Sequence, residues 1–203
     1  MNTEVTKATN NMEKYYTYKE LMERYKKAYE QEFYFESMFI LYAVMEDRLR
    51  AILYHSGVIK QREDKSLDYS SNSKYLTEMF YEYNGNITRH KHVIDFSKIF
   101  NKISMVRAIL RWERQNTDYI SSEYLKKLKR QYKEIDKQYF LKVLNDVEKW
   151  KNYRNELIHS VLENNIDSVN DTLKEKVDEG KQLINQLTEL SRLVKKHSFV
   201  LIN

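Results

Sequence analysis

Apolar residues recur at alternating steps of three and four along most of this chain, the spacing of helices that bury one face. The densest run is Met38, Leu41, Tyr42, Met45, Leu49, Ile52 and Leu53, with Phe39, Ile40 and Val44 covering much of the remaining circumference. A helix this apolar all round belongs at the centre of a bundle or against a second subunit. Ahead of it, Leu21, Tyr25, Ala28 and Tyr29 mark an amphipathic helix from near Glu13 to about Gln31. Thr17 and Glu20 have the spacing of a capping box, although helical character starts earlier. Nothing between Gln31 and Phe35 breaks helix, so the pattern allows the two helices to run on as one.

Gly57 is the expected stop of the apolar helix. Val58 to Lys74 is polar around Ser70-Ser71-Asn72-Ser73 and reads as a long loop. Tyr75, Leu76, Met79, Phe80 and Tyr83 suggest a short amphipathic helix, and Asn84-Gly85-Asn86 a turn. Residues 57–95 thus form a loop-rich insertion. Phe96, Ile99, Phe100, Ile103, Val106 and Leu110 define the next helix, capped by Asp95 or Ser97 and broken at Asn116-Thr117-Asp118. Tyr124, Leu125, Leu128 and Tyr132 mark a short helix whose other faces carry Lys126, Lys127, Lys129, Arg130 and Lys133. Such a strip suits either solvent or phosphates, Lys126, Lys129 and Arg130 being the candidate contacts. Asp136 is placed to cap a helix from about Lys137 to Glu163, ended by Asn164-Asn165. Ser168 and Asp171 resemble a capping box for the last helix. Its seam, Leu173, Val177, Gly180, Ile184, Leu187, Ser191 and Val194, is too imperfect for a coiled coil and reads as a bundle helix. The expectation is an all-α fold: an up-and-down bundle of about five to seven helices with a long polar insertion. Residues 1–11 are expected as a flexible tail and 12–203 as a single helical domain.

Composition narrows the chemistry. The 203 residues include no proline, no cysteine and three glycines, and 32% are charged. Few turn residues speak against a sheet protein. The absence of cysteine excludes disulfides, thiolate metal sites and a thiol nucleophile, and suits a reducing cytoplasm. The start of the chain is polar and mixed in charge, unlike a signal peptide, and the longest apolar run, Met38 to Met45, is too short to span a bilayer. Arg89-His90-Lys91-His92 lacks an acidic partner spaced to complete a metal set, so neither metal nor cofactor is expected. A net charge of +5 and 17 tyrosines lean towards an anionic partner with stackable bases.

One position breaks the pattern. The seam Phe140, Val143, Val147, Trp150, Leu157, Val161 skips the residue midway between Trp150 and Leu157, and that residue is Arg154. A buried guanidinium is costly without a partner. Glu46 or Asp47 could supply one as an ion pair. His159 follows five residues later, about 140° further around an ideal helix. Asn152, Asn155, His159 and Glu163 share a polar stripe, with Arg154 at its border. Arg154 and His159 converge only if the helix is distorted or two copies meet. An always-charged fork donor near a side chain that titrates close to neutrality suits phosphodiester chemistry, and RNA brings its own 2′-hydroxyl nucleophile. The alternatives are a purely structural Arg ion pair with a solvated His, or a binding module without catalysis.

The string Arg154-Asn155-Glu156-Leu157-Ile158-His159 resembles the Arg-x(4–6)-His motif of HEPN-domain proteins. The all-helical pattern, the motif in a C-terminal helix and the early apolar helix with Glu46-Asp47-Arg48-Leu49 are similar too. The resemblance implies a metal-independent endoribonuclease acting as a cytoplasmic homodimer, with a toxin or antiphage role and an antitoxin or regulatory partner. It implies Arg154 and His159 as catalytic residues and Asn155 as orienting them or contacting phosphate. Glu46, Asp47 and Asn152 would support the site, and Lys151, with the basic strip, would contact RNA. Where members paired with a nucleotidyltransferase antitoxin carry Tyr two residues after the His, this chain has Val161.

Overall fold

The computed structural model describes residues 11–61, 67–69, 99–114, 123–160 and 166–198. Among these are six helices: α1 (Asn11–Glu30), α2 (Tyr34–His55), α3 (Ile99–Arg114), α4 (Glu123–Tyr132), α5 (Lys137–Ser160) and α6 (Ile166–Lys196). The chain is an all-α bundle, as the periodicity predicts. No described helix is long and apolar enough to cross a membrane. The stretch read as Tyr75–Tyr83 helix, the Asn84-Gly85-Asn86 turn, the Arg89–His92 cluster, and the Asp95, Ser97 and Asn116–Asp118 signals lie outside the described residues.

α2 is central. It packs most extensively on α6 and also meets α1 and α3. α5 closes the bundle from the far side, touching α3 and α6. α1 and α2 are antiparallel, with Arg48 over the Tyr18 ring and Tyr29 edge-on to Tyr34. α2 and α6 run parallel. Tyr29, just ahead of α2, donates to Asp178 early in α6, whereas the ends of α2 and α6 share Gln131. α5 is antiparallel to α3, since Lys151 faces Phe100 while Arg107 reaches back to Asn145 and Glu148. Buried residues from all six helices join one core.

The break between α1 and α2 departs from the continuity that the pattern allowed. Phe33 N–H donates to Ala28 O and Glu32 N–H to Tyr29 O, a Schellman turn, with Glu32 in the left-handed region at φ 61°. Gly57, at φ 69°, ends α2 the same way, through Val58 N–H to Leu53 O and Gly57 N–H to Tyr54 O. Thr17 does not form a capping box. Its hydroxyl donates to Glu13 O inside α1, and Glu20 pairs with Arg24. Beyond Gly57 the structure replaces part of the expected loop with a short antiparallel pair, β1 (Ile59–Gln61) and β2 (Leu67–Tyr69), in register Ile59 with Tyr69. Val58 and Ile59 are buried, which anchors this pair to the core.

α5 starts where Asp136 places it: the carboxylate accepts from Gln138 N–H at 2.9 Å and Tyr139 N–H at 3.0 Å. Its seam residues Phe140, Val143, Val147, Trp150 and Leu157 are all buried. Every position of the α6 seam from Leu173 to Val194 is buried as well. Gly180 in that seam is there for Trp150. A Cβ on it would come within 2.8 Å of the indole, whose Nε1 donates to Lys176 O at 2.6 Å. α6 is already helical at Ile166, ahead of the capping box suggested at Ser168 and Asp171.

Candidate functional site

One turn beyond Trp150, Arg154 keeps its place on the inward side of α5 and is half-buried. The guanidinium carbon lies 4.5 Å from the Phe39 ring centroid and 4.6 Å from that of Tyr42. Phe39 and Tyr42 are three apart on α2 and therefore share a face. Together they clamp the cation between two π-systems. Nη1 donates to Asn155 Oδ1 at 3.2 Å, and Nε is buried without a hydrogen-bond partner. Burial holds the Arg154 pKa below its ordinary value, partly offset by Tyr42. Tyr42 in turn is pushed up by burial and by Glu46, with Arg154 pulling it back.

The proposed ion pair with Glu46 or Asp47 does not form. Glu46 accepts from Lys102 Nζ of α3 at 2.6 Å, and Asp47 pairs with Arg50 on its own helix. α2 stays in the core past Glu46, where Leu49, Ile52 and Leu53 are buried. The charges are tolerated because each is paired or stacked locally, Arg48 lying 4.6 Å from the Tyr18 ring centroid. Among the described residues no carboxylate pairs with Arg154. The charge expected to be neutralised is instead held by aromatic faces, which attract a cation without cancelling it.

Asn155 is half-buried against Arg154, whereas Asn152 is exposed and takes no part in the clamp. Of His159 the backbone is described. α5 is unbroken through Ser160, so positions 154 and 159 stand about 140° apart around its axis. This removes local distortion as a route to convergence within one copy. Lys151, one turn before Arg154, lies 5.5 Å from the Phe100 ring centroid. Phe100 was expected on the buried face of α3 but is 47% exposed. It stands at the start of that helix, where Lys151 rather than a neighbouring helix covers it.

The basic strip of α4 is elsewhere. Tyr124 OH donates to Ser56 O, Tyr132 OH bonds Ser56 Oγ, and Gln131 Nε2 donates to both His55 O and Val194 O. These contacts fix α4 across the C-terminal ends of α2 and α6. Tyr42 to His55 is thirteen positions, about 20 Å along the helix. Lys126, Lys127, Lys129, Arg130 and Lys133 are therefore not part of the Arg154 site; Lys129 is half-buried and the other four are exposed.

Sequence reasoning missed Phe39 and Tyr42 as partners of Arg154. Their spacing on α2 was visible, and an unpaired arginine on a distant seam is a reason to look for rings as well as carboxylates. It also missed the buried Lys102 and Gln131, for which the pattern held no signal. No family model, no curated protein and no solved structure matches this chain.

Proposed function

We propose that this protein is a HEPN-type, metal-independent endoribonuclease that works as a homodimer. The observation that carries the reading is Arg154, a cation held on an apolar seam by two rings, with no carboxylate against it among the described residues. A site that keeps its positive charge is one that can receive an anion. The phosphodiester supplies that anion, and Arg154 stabilises the charge that develops on phosphorus oxygens. His159 takes the proton from the 2′-hydroxyl or delivers one to the leaving oxygen. The O2′–P bond forms as the P–O5′ bond breaks, leaving a 2′,3′-cyclic phosphate and a 5′-hydroxyl. Asn155 orients the guanidinium through its Oδ1. Because positions 154 and 159 diverge on one helix, Arg154 of one copy works with His159 of the other. A toxin or antiphage role in the cytoplasm, held in check by an antitoxin or regulatory partner, belongs to the same reading.

The test is cleavage of single-stranded RNA by purified protein in EDTA. Cyclic phosphate ends are expected, with rate losses of roughly a hundredfold or more for Arg154→Met and His159→Ala. Full activity in His159→Ala would overturn the mechanism. The same divergence favours a second reading: an RNA-binding bundle that holds phosphate at Arg154 without cutting. It predicts salt-sensitive binding with no cyclic phosphate product.

A further inference from the structure

Two large aromatic side chains stand exposed on the helices that surround Arg154. Phe39 of α2 is 44% exposed and Phe100 of α3 is 47% exposed. Each has a cation of α5 against it, Arg154 at 4.5 Å and Lys151 at 5.5 Å from the ring centroids. Those cations are three residues apart, so they occupy neighbouring positions on one helical face. The order across the surface is ring, cation, cation, ring, from α2 over α5 to α3. Nearby, Arg107 is paired with Glu148 and Lys149 with Asp146. Among the described residues neither Lys151 nor Arg154 has a carboxylate partner.

We propose that this face is a track for single-stranded nucleic acid, with Phe39 and Phe100 as stacking platforms for two bases and Arg154 and Lys151 as contacts for the phosphates between them. The inference rests on the RNA reading above and adds the residues that would make it selective for unpaired bases. Exposed ring faces suit bases of any identity, because every base has a π-face, but only when the base is not already stacked in a duplex. A protein partner fits less well. It would have to desolvate two cations to reach the rings, whereas a nucleic acid brings a phosphate to each.

Binding to non-cleavable 2′-O-methyl oligonucleotides separates the outcomes. Three probes of equal length are compared on the full chain: a single strand with bases, the same backbone made abasic, and a duplex. The native protein is expected to prefer the base-bearing single strand. Phe39→Leu and Phe100→Leu keep an apolar side chain but remove the stacking face. Each should weaken that binding about tenfold. Phe100→Leu should leave the abasic probe unchanged, whereas Phe39→Leu, which also takes one ring from Arg154, should weaken the abasic probe by less than it weakens the base-bearing strand. Phe39→Tyr and Phe100→Tyr, which keep the face, should bind like the native chain. Equal binding of base-bearing and abasic probes, still lost in Arg154→Met, would overturn the stacking platforms while leaving the phosphate site standing. Absence of binding to every probe would overturn both. If the Leu variants shift sedimentation from dimer to monomer without changing probe preference, the face joins copies of the chain and the proposal fails.

Discussion

At its C-terminal end α2 hands its last carbonyls to side chains from other parts of the chain. His55 O accepts from Gln131 and Ser198, and Ser56 bonds both Tyr124 and Tyr132. About 20 Å earlier the same helix offers two rings to a guanidinium whose Nε is unmet. One end is polar, buried and knitted to α4 and α6. The other is aromatic, half-open and carries a charge that no described carboxylate answers. Buried polar networks rigidify a fold when their bonds are made. A cation left with two rings and one amide oxygen contributes little to stability and stays available to an anion. The difference separates what holds this bundle together from what it presents.

The strongest way to break the comparison is at the knitted end. Tyr132→Ala empties the volume of a fully buried ring and removes the bond to Ser56, and should lower unfolding free energy by about 4 kcal/mol in denaturant titration. A loss below about 1 kcal/mol would show that α4 is an appendage. Gln131→Leu strips a donor from His55 O and Val194 O while also removing the buried, unpartnered Oε1. The two effects oppose, so a drop of about 1–2 kcal/mol is expected. Arg154→Met sharpens the other side. Loss of the cation–π contacts is offset by relief of the unmet Nε, leaving stability within about 1 kcal/mol of native. A loss of several kcal/mol would make Arg154 a structural residue instead. The smallest effect concerns His55, whose pKa burial and Lys195 hold below 6.5. Facing it are the Tyr54 ring at its edge and the charge of Lys195. As pH falls through 6.5 the unfolded chain takes up a proton that the folded one resists, so stability declines on the acid side. His55→Leu should flatten that decline in melting curves recorded from pH 7 downward.

Legibility varied with how local the cause was. Gly57 announced the end of α2, because glycine tolerates positive φ. Glu32 performs the same turn at the end of α1 without that signature, at roughly 1–2 kcal/mol of local cost, and the pattern allowed a continuous helix there. The β1–β2 pair escaped notice because strands of three residues are too short for an alternating pattern to register. Asp136 was readable as a cap from its place ahead of an apolar repeat, and the structure shows both expected backbone donors bound to it. At the site, the anomaly of Arg154 stood out along α5, but its partners did not. Phe100 shows the converse: the right spacing for a buried face, and half its surface open.

The sequence by itself determined the helices and most of their buried faces, because a period near 3.6 is written into the order of apolar residues and needs no knowledge of neighbours. It also determined that position 154 carries a permanent charge where an apolar side chain was due. Only the tertiary structure decided what meets that charge. Glu46 lies on the same helix as Phe39 and Tyr42, yet Lys102 of α3 takes the carboxylate, and the rings are left for Arg154. Which groups meet depends on how α2, α3 and α5 cross, and that geometry follows from packing the whole core rather than from any one segment.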